Sequence, residues 1–277
     1  MTLYADRALA ARLEGIAAAD LRAFAEASAG LFEDMSAAWL QVGDGIAGFC
    51  GRDSAVNGTV GLGVSVPVTE ADVIEIERFF HDRDARPMIT VCPLADATLA
   101  QTLMVRGGWS LAHFENVLVR ACSAALDVPP PDPAIEIVIA DSAEQRLAWA
   151  DLLIEGFSAP ETPTSADLRL GHTVASMPDR TFLMALVDGE PAGTGELVIA
   201  NGVGWLSADT TLQRFRGRGV QQSLQRARLG MARDAGCELA VSESMPGSGS
   251  QRNMERLGFR VVYTRTEMAG PPPQRPL

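Results

Sequence analysis

Apolar and polar positions in the second half of the chain follow two alternating periods, which predicts a succession of strands and helices. Ser142 precedes a stretch of helical period and Gln145 follows it by three positions, the spacing of a capping box. Asp188-Gly189 and Asn201-Gly202 separate three apolar runs, and such pairs are typical of tight hairpin turns. The predicted elements are strand Ile135–Ala140, helix Ser142–Phe157, a helical stretch from about Ser165, strands Thr181–Val187, Pro191–Ala200 and Val203–Thr211, helix Val220–Ala235, strand Glu238–Glu243, helix Ser248–Leu257 and strand Phe259–Met268.

The first half has a weaker pattern. Its predicted elements are helix Ala8–Ala29, strands Ala38–Phe49 and Asn57–Pro67, helix Thr69–His81, strand Met88–Cys92, a short helix and strand Ser110–Arg120. Between the halves, residues 124–133 contain four prolines, which exclude a helix or central strand and predict a stiff linker. We therefore expect one domain over residues 1–123, a second over 134–270, and a loose proline-rich tail over 271–277.

Two short segments that lie 150 positions apart resemble each other. Met104-Val105-Arg106-Gly107-Gly108-Trp109 corresponds to Met254-Glu255-Arg256-Leu257-Gly258-Phe259, so Met and Arg recur and an aromatic residue follows a glycine in both. Val91 and Val241 stand at the same offset upstream, each within an apolar run. Coincidence can produce so short a match, but together with the central linker it favours a duplicated domain.

The net charge of the chain indicates which classes of molecule it can bind. The chain has 277 residues and a formal net charge of −12, and all 23 basic residues are arginines. A net acidic chain lacks the basic face that nucleic acids require, so we expect no nucleic-acid partner. The acidity is compatible with a cationic amine substrate, although it also serves solubility alone. The absence of lysine excludes a Schiff-base lysine and a phosphate-binding P-loop.

Neither a metal centre nor a membrane segment is expected. Short metal-ligand spacings are missing among the cysteines and histidines, which are Cys50, Cys92, Cys122, Cys237, His81, His113 and His172. We expect reduced thiols and a cytoplasmic protein. Asp6 and Arg7 interrupt the first segment, and no run approaches the ~20 apolar residues of a membrane span, so neither a signal peptide nor a membrane partner is expected. A monomer and a homodimer are both left open.

An arginine-rich segment after the third hairpin strand has the features of an anion site. From residue 210 to 233 there is no acidic residue, and six arginines occur: Arg214, Arg216, Arg218, Arg226, Arg228 and Arg233. The first turn of the following helix leaves backbone N–H groups without partners, which favours an anion. Gly217 and Gly219 remove side chains so that phosphate oxygens can approach the backbone. Arg216 and Arg218 can add charge-assisted contacts, although a glycine-rich turn with a solvated arginine face is the alternative.

The segment Arg216-Gly217-Arg218-Gly219-Val220-Gln221, with the downstream Ser250–Phe259 that ends in Leu-Gly-Phe, resembles the GNAT superfamily of acyl-CoA-dependent N-acyltransferases. The loop matches that family's Arg/Gln-x-x-Gly-x-Gly/Ala motif, except that Gln221 replaces the last small residue. The resemblance covers about residues 135–268. It implies an α/β fold (an α+β mixed sheet) with two tandem GNAT-like domains, each a twisted mixed sheet flanked by helices.

The resemblance also implies that the first half is a degenerate copy. The 150-residue offset places Val66, Pro67 and Thr69 at the positions of the phosphate loop, so its arginine is absent and a proline without an N–H takes the place of a glycine. We therefore expect only the second half to bind the cofactor, which the resemblance identifies as acetyl-CoA.

In such folds the strand before the loop diverges from its neighbour, and the pantetheine arm pairs with the exposed backbone. Ser250 and Asn253, on the second helix, are placed to contact the arm or the phosphates. The implied contacts with acetyl-CoA are Thr210, Thr211, Leu212, Arg216, Gly217, Arg218, Gly219, Val220, Gln221, Ser250 and Asn253.

The resemblance implies direct attack of a neutral amine on the thioester, with a base that takes the proton of the amine. The candidate bases are Glu196, Asp209 and Glu243, and His172 is a weaker one; for each carboxylate a solvated strand end is the alternative. A backbone N–H near Leu212 is the expected oxyanion donor.

Members of the family often carry a tyrosine that protonates the departing thiolate, at the position where this chain has Met254. Tyr263, on the final strand, is the candidate substitute, and a half-buried strand tyrosine is the alternative. We therefore expect an acetyl-CoA-dependent N-acetyltransferase that acts on a primary amine of a small molecule or peptide. A non-catalytic acyl-CoA sensor is the alternative, and the overall acidity disfavours a module that binds nucleic acids or other partners through its arginines.

Overall fold

The computed structural model describes residues 4–52, 54–122 and 128–273. The chain forms two compact units, which are named here by the part of the chain that dominates each. The carboxy-terminal unit comprises residues 117–261, and the amino-terminal unit comprises residues up to 116 together with those from 262 onward.

The carboxy-terminal unit is a mixed sheet with helices packed on it. Its elements are the end of β5 (Ser110–Ala121), β6 (Ile135–Ile139), α4 (Ala143–Ser158), α5 (Ser165–Ser176), β7 (Arg180–Val187), β8 (Glu190–Ala200), β9 (Val203–Thr211), α6 (Val220–Asp234), β10 (Leu239–Ser244), α7 (Gly249–Arg256) and the start of β11 (Arg260–Ala269). The strands are ordered β5-β10-β9-β8-β7-β6. Strands β9 and β10 are parallel, and β6 to β9 pair antiparallel in sequence.

Local sequence signals account for where these helices begin. The predicted capping box of α4 is present: Ser142 Oγ accepts from the Gln145 amide at 3.1 Å, and Gln145 Oε1 accepts from the Ser142 amide at 3.0 Å. Trp149 of α4 is fully buried, and its indole N–H donates to the Leu183 carbonyl of β7 at 3.0 Å. The ring lies 4.6 Å from that of Phe182, so α4 is anchored to the sheet by aromatic packing and a hydrogen bond.

Strands β9 and β10 pair over a short stretch only. Their register joins Val203–Trp205 to Leu239–Val241, whereas β9 continues to Thr211 and β10 to Ser244. The end of β9 that precedes the arginine-rich loop is therefore paired with β8 and not with β10. This pairing agrees with the predicted divergence of β9 from its neighbour.

The amino-terminal unit contains α1 (Arg7–Leu31) and two small groups of strands. The other elements are β1 (Ala38–Val42), β2 (Gly45–Phe49), β3 (Gly58–Val60), α2 (Glu70–His81), β4 (Met88–Val91), α3 (Ala97–Arg106) and most of β5. One group of strands has the order β1-β2-β3 and the other β4-β11-β5. The core is formed by apolar side chains of α2, α3 and β4, such as Ile76, Phe80, Ile89 and Leu99.

The two halves repeat the same elements at the offset of 150 residues. Helices α2 and α6 begin at residues 70 and 220, α3 and α7 end at 106 and 256, and β5 and β11 begin at 110 and 260. The tandem arrangement predicted from a six-residue match is therefore confirmed by the order and spacing of the elements.

Two predicted strands of the first half are wrong. The run Ala38–Phe49 is a hairpin and not one strand, because Gly43 adopts a φ of +56° and reverses the chain. The run Asn57–Pro67 keeps only Gly58–Val60 as strand. Gly61 and Gly63 have φ values of +80° and +79°, which turn the backbone out of the extended conformation.

The predicted domain boundaries differ from those of the compact units. Linear composition predicts boundaries at residues 123, 134 and 270, whereas the units divide within β5, between 116 and 117, and within β11, between 261 and 262. Both of these divisions fall inside strands, where the composition of the sequence does not change. Part of the predicted linker (residues 124–127) and of the tail (274–277) lies outside the described residues.

Within the described residues, every helix is too short or too polar to span a bilayer. The same part of the chain holds no cluster of three or more His, Cys, Asp or Glu side chains suited to a metal ion. The four cysteines are buried and form no disulfide.

Candidate functional site

A cleft of about 780 Å³ lies in the carboxy-terminal unit, where the end of β9, the loop 212–219, the first turn of α6 and helix α7 meet. Nine of the eleven residues predicted to contact acetyl-CoA line this cleft: Thr210, Thr211, Arg216, Gly217, Gly219, Val220, Gln221, Ser250 and Asn253. The fold thus brings together two segments that are separated by about thirty residues in sequence.

The other two predicted residues are engaged elsewhere. Leu212 is buried, and its amide donates to the Ala192 carbonyl at 2.9 Å, so the predicted oxyanion donor is already used within the sheet. The guanidinium of Arg218 lies 3.1 Å from Asp188 in an exposed ion pair, and the residue does not line the cleft.

The loop owes its shape to two glycines in the left-handed region. Gly217 and Gly219 have φ values of +78° and +83°, which disfavour any other residue. A Cβ on Gly217 would meet no atom within 4 Å, so backbone conformation and not crowding within the protein requires glycine there.

Helix α6 begins without a side-chain cap. Gly219 is its N-cap residue and offers no side-chain acceptor, whereas α1 to α5 and α7 each have a side-chain oxygen that accepts from a first-turn amide. Among the described helices, α6 is therefore the one whose first N–H groups are left for another anion. This helix start opens onto the cleft, since Val220, Gln221 and Gln222 line it.

The side chain of Gln221, which departs from the family motif, is turned toward α7. Its Oε1 accepts from Asn253 Nδ2 at 2.7 Å, and its Nε2 donates to Ser250 Oγ at 3.2 Å. Gln221 thereby joins the first turn of α6 to the two predicted contact residues of α7 and fixes their orientation.

A β-bulge in β9 borders the cleft. Thr194 pairs with Thr210 and Glu196 with Ser207, so Ala208 and Asp209 together oppose Gly195 alone. Ala208 has a φ of +51°, an unusual value for a residue with a Cβ. Such bulges re-aim side chains next to active sites, and here the extra residues precede Thr210 at the cleft wall.

A buried arginine binds the backbone of this bulge, a role that the sequence did not predict. Arg228 of α6 is fully buried, and its Nη1 donates to the carbonyls of Glu196 and Ser207 at 3.0 Å each. Its Nη2 contacts the carboxylate of Asp209. One signal for burial is present in the sequence. Arg228 stands four residues after Leu224 and three before Met231, so it falls on the apolar face of the helix, where a surface arginine would not lie.

The three candidate bases occupy different environments. Asp209 lines the cleft, and burial raises the pKa of its carboxyl while the Arg228 guanidinium opposes that shift. Glu196 is buried between the Arg180 guanidinium at 2.6 Å and the Ser207 hydroxyl at 2.7 Å, and it does not line the cleft. Glu243 is half-buried near the end of β10 and also lies outside the lining.

Tyr263, the predicted proton donor, lies on β11 and is not among the described residues that line the cleft. Its hydroxyl donates to Glu14 Oε1 at 2.8 Å, and Arg265 Nε donates to the same oxygen at 2.8 Å. Burial raises the pKa of the phenol above its usual value. His172, the weaker candidate base, lies on α5 and contacts Asp151 at 3.2 Å.

The corresponding loop of the amino-terminal unit is closed by a carboxylate of the protein itself. Asp44 Oδ1 accepts from the Gly63 amide at 2.7 Å, and its Oδ2 accepts from the amides of Ser65 and Val66 at 2.5 and 3.3 Å. Converging amides of this kind form an anion nest. In this unit the nest lies between β3 and α2, the position of the arginine-rich loop in the repeat, and an internal anion fills it.

Further residues of the cleft carried little signal in the sequence. Gly156 of α4 and Arg256 of α7 both line it. A Cβ on Gly156 would overlap Thr210 Oγ1, so this glycine lets α4 approach the cleft wall closely. Arg256 Nη1 donates to Asn253 Oδ1 at 3.2 Å.

Comparison with known proteins concerns the family and the fold of the chain. The model of the acetyltransferase (GNAT) family matches residues 146–259. A GCN5-related N-acetyltransferase from Kribbella flavida superposes with a TM-score of 0.63 at 20% identity, over 89% of this chain and 95% of that one. A second, from Sphaerobacter thermophilus, has a TM-score of 0.57 at 19% identity, over 72% of this chain and 66% of that one.

A tandem GNAT protein from the clavulanic acid biosynthesis pathway is also similar in fold, with a TM-score of 0.56 at 14% identity, over 78% of this chain and 72% of that one. No curated protein gives a significant sequence match. Residues 146–259 match the GNAT acetyltransferase family, and the fold of the chain is similar to that of GNAT proteins, including a tandem one. The match indicates a transferase, because the chemistry of the matched family is acyl transfer.

Proposed function

We propose that the carboxy-terminal unit binds acetyl-CoA in the cleft and transfers the acetyl group to a primary amine of a small molecule or peptide. The observation that carries the proposal is the uncapped start of α6, which opens onto a cavity of about 780 Å³. Free first-turn amides favour a phosphate anion, and this volume is typical of a site for a large organic ligand.

The proposed contacts come from three elements. The first-turn amides of α6, which follow Gly219, bind the pyrophosphate, with Arg216 beside them. The end of β9 at Thr210–Thr211, which β10 does not pair, offers its backbone to the pantetheine arm. Ser250 and Asn253, held by Gln221, contact the arm from α7.

We place the cofactor in this unit alone. The matching nest of the amino-terminal unit already holds the carboxylate of Asp44, whose two oxygens take the amides of Gly63, Ser65 and Val66. A phosphate would have to displace a carboxylate that is bound covalently to the same chain, so one cofactor per chain is expected.

In the proposed reaction the amine nitrogen forms a bond with the thioester carbonyl carbon and the C–S bond breaks. Asp209 accepts the proton of the amine, directly or through water, because it lines the cleft and burial raises the pKa of its carboxyl. The buried Met254 is a thioether and cannot donate a proton to the sulfur, so water is the proposed donor, and the hydroxide that remains takes the proton from Asp209.

Calorimetric titration with acetyl-CoA and with CoA tests the binding step. Replacing both loop glycines (Gly217→Val with Gly219→Val) should weaken binding at least tenfold, because the left-handed backbone and the approach to the amides are lost together. Gly236→Val is the matched control: Gly236 has a φ of +76° at the other end of α6 and open space around it. Unchanged binding in the double variant, or equal loss in the control, would overturn the proposal.

Turnover separates the enzyme from an acyl-CoA sensor, the alternative that Met254 motivates. Release of free thiol should depend on a suitable amine within a broad panel, and Asp209→Asn should lower kcat by about 10²- to 10⁴-fold if the carboxylate is the base. Saturable acetyl-CoA binding without turnover on any amine would favour the sensor.

A further inference from the structure

The arginines around the cleft differ in whether a carboxylate neutralises them. Arg214, Arg218 and Arg228 pair with Glu155 at 3.3 Å, with Asp188 at 3.1 Å and with Asp209. Arg216 and Arg256 both line the cleft. Within the described part of the chain, their guanidinium groups donate to neutral oxygens only: the Thr211 carbonyl at 3.3 Å and Asn253 Oδ1 at 3.2 Å.

These two arginines stand at two separate places along the cleft. Arg216 immediately precedes the loop glycines at the start of α6, whereas Arg256 ends α7. Hydrogen bonds join Arg256 to the first turn of α6, since Arg256 donates to Asn253 at 3.2 Å and Asn253 donates to Gln221 at 2.7 Å. The cleft therefore has one cation in the loop before α6 and a second cation at the end of α7.

Coenzyme A presents phosphate at two separate places as well. A pyrophosphate joins the pantetheine arm to the nucleoside, and a third phosphate is attached to the ribose as a monoester. The uncapped start of α6 with Arg216 suits the pyrophosphate. The monoester carries further negative charge, and a guanidinium is the side chain best matched to it.

We propose that Arg256 binds the ribose 3′-phosphate and makes the cleft selective for coenzyme A over dephospho-coenzyme A, which lacks that group. The inference rests on the proposed function, because it assumes that the pyrophosphate occupies the start of α6. Asn253 holds the guanidinium through its Oδ1, and its own amide is oriented by Gln221, so Arg256 is positioned before the ligand arrives.

The test compares two ligands and two variants by calorimetry. The wild-type chain should bind CoA about 10- to 100-fold more tightly than dephospho-CoA, the size of a charge-assisted hydrogen bond. Arg256→Gln should lose that factor for CoA and keep the wild-type affinity for dephospho-CoA within about twofold. Arg252→Gln is the matched control, because Arg252 is an exposed arginine of the same helix that does not line the cleft.

The possible failures are distinguishable. An equal loss of affinity for both ligands in Arg256→Gln, or no loss for either, would overturn the assignment of Arg256 while the cofactor site itself stands. If Arg252→Gln lost a comparable factor of affinity for CoA alone, the effect would come from the total charge of α7 and not from Arg256. That result would also overturn the assignment. Absence of binding of both ligands to the wild-type chain would refute the proposed function.

Discussion

Gly195 and Arg228 occupy adjoining space in the carboxy-terminal unit: a Cβ on Gly195 would lie 2.6 Å from Arg228 Cζ. The glycine is the single residue that opposes Ala208 and Asp209 across the β-bulge, and the arginine binds the backbone of that bulge. The missing side chain on β8 thus leaves room for the guanidinium that fixes the wall of the cleft.

Gly195→Ala should therefore lower the free energy of unfolding by about 1–3 kcal/mol, the usual cost of overpacking a close-packed interior. Chemical denaturation measures the change. Gly230→Ala is the control, because Gly230 lies in α6 and a Cβ there would meet no atom within 4 Å. That glycine-to-alanine change should be neutral or stabilise by up to ~1 kcal/mol. Similar stability of the two variants would contradict the packing argument.

Arg228→Met should cost about 3–5 kcal/mol of stability at neutral pH, because the buried carboxylate of Asp209 loses its partner. Without the guanidinium the pKa of Asp209 rises further above its unfolded value, so the deficit should shrink as the pH falls and the carboxyl is protonated.

Adding Asp209→Asn to Arg228→Met should recover part of the loss at neutral pH, since no charge is then left buried. Denaturation of both single variants and the double variant at pH 7 and pH 5 gives the coupling between the residues. If the changes in unfolding free energy of the two single variants simply added up in the double variant at pH 7, the ion pair would not contribute to stability.

The chain should lose stability steeply above about pH 9. Burial raises the pKa of Cys50 from 9.0 to about 12 and that of Cys92 from 9.0 to about 11, and it also raises the pKa of Tyr263. Because the folded-state values exceed the unfolded ones, the stabilisation is complete below pH 9 and is lost as the pH rises, by up to ~1.4 kcal/mol per pH unit for each group.

Because the chain contains no lysine, no side-chain ammonium group titrates in the same pH range. A loss of stability in this range can therefore be assigned to thiols and phenols more directly. Unfolding free energies of the wild-type chain and of Cys50→Ala with Cys92→Ala between pH 8 and pH 11 test the prediction. The double variant should show a shallower decline, and parallel curves would rule out the thiols as the cause.

Asp44→Ala should destabilise the chain by about 1–3 kcal/mol, because three amides of the amino-terminal nest lose their acceptor. Asp44→Asn retains one acceptor oxygen and should cost less. Thermal melts rank the two variants, and calorimetry should find unchanged CoA affinity with a single site in both. Weaker CoA binding after Asp44→Ala would show that the amino-terminal nest contributes to CoA binding, which would contradict our proposal.

Short-range patterns in the sequence determined much of the fold. The capping pair Ser142 and Gln145, the turn at Asp188-Gly189 and the repeat at an offset of 150 residues predicted elements that lie within about two residues of those observed. Each of these signals acts over a few residues, so it can be interpreted without knowing what packs against it. The same holds for Gly217 and Gly219, whose positive φ is a local property.

The tertiary structure alone decided which of the chemically similar side chains face the cleft. Arg216 and Arg256 are free of carboxylate partners among the described residues, while Arg228 is buried against Asp209. The amide of Leu212 is bonded within the sheet, and Tyr263 belongs to the other unit. Such pairings depend on contacts between residues that are tens to hundreds of positions apart, and the periodicity of a sequence carries no record of them.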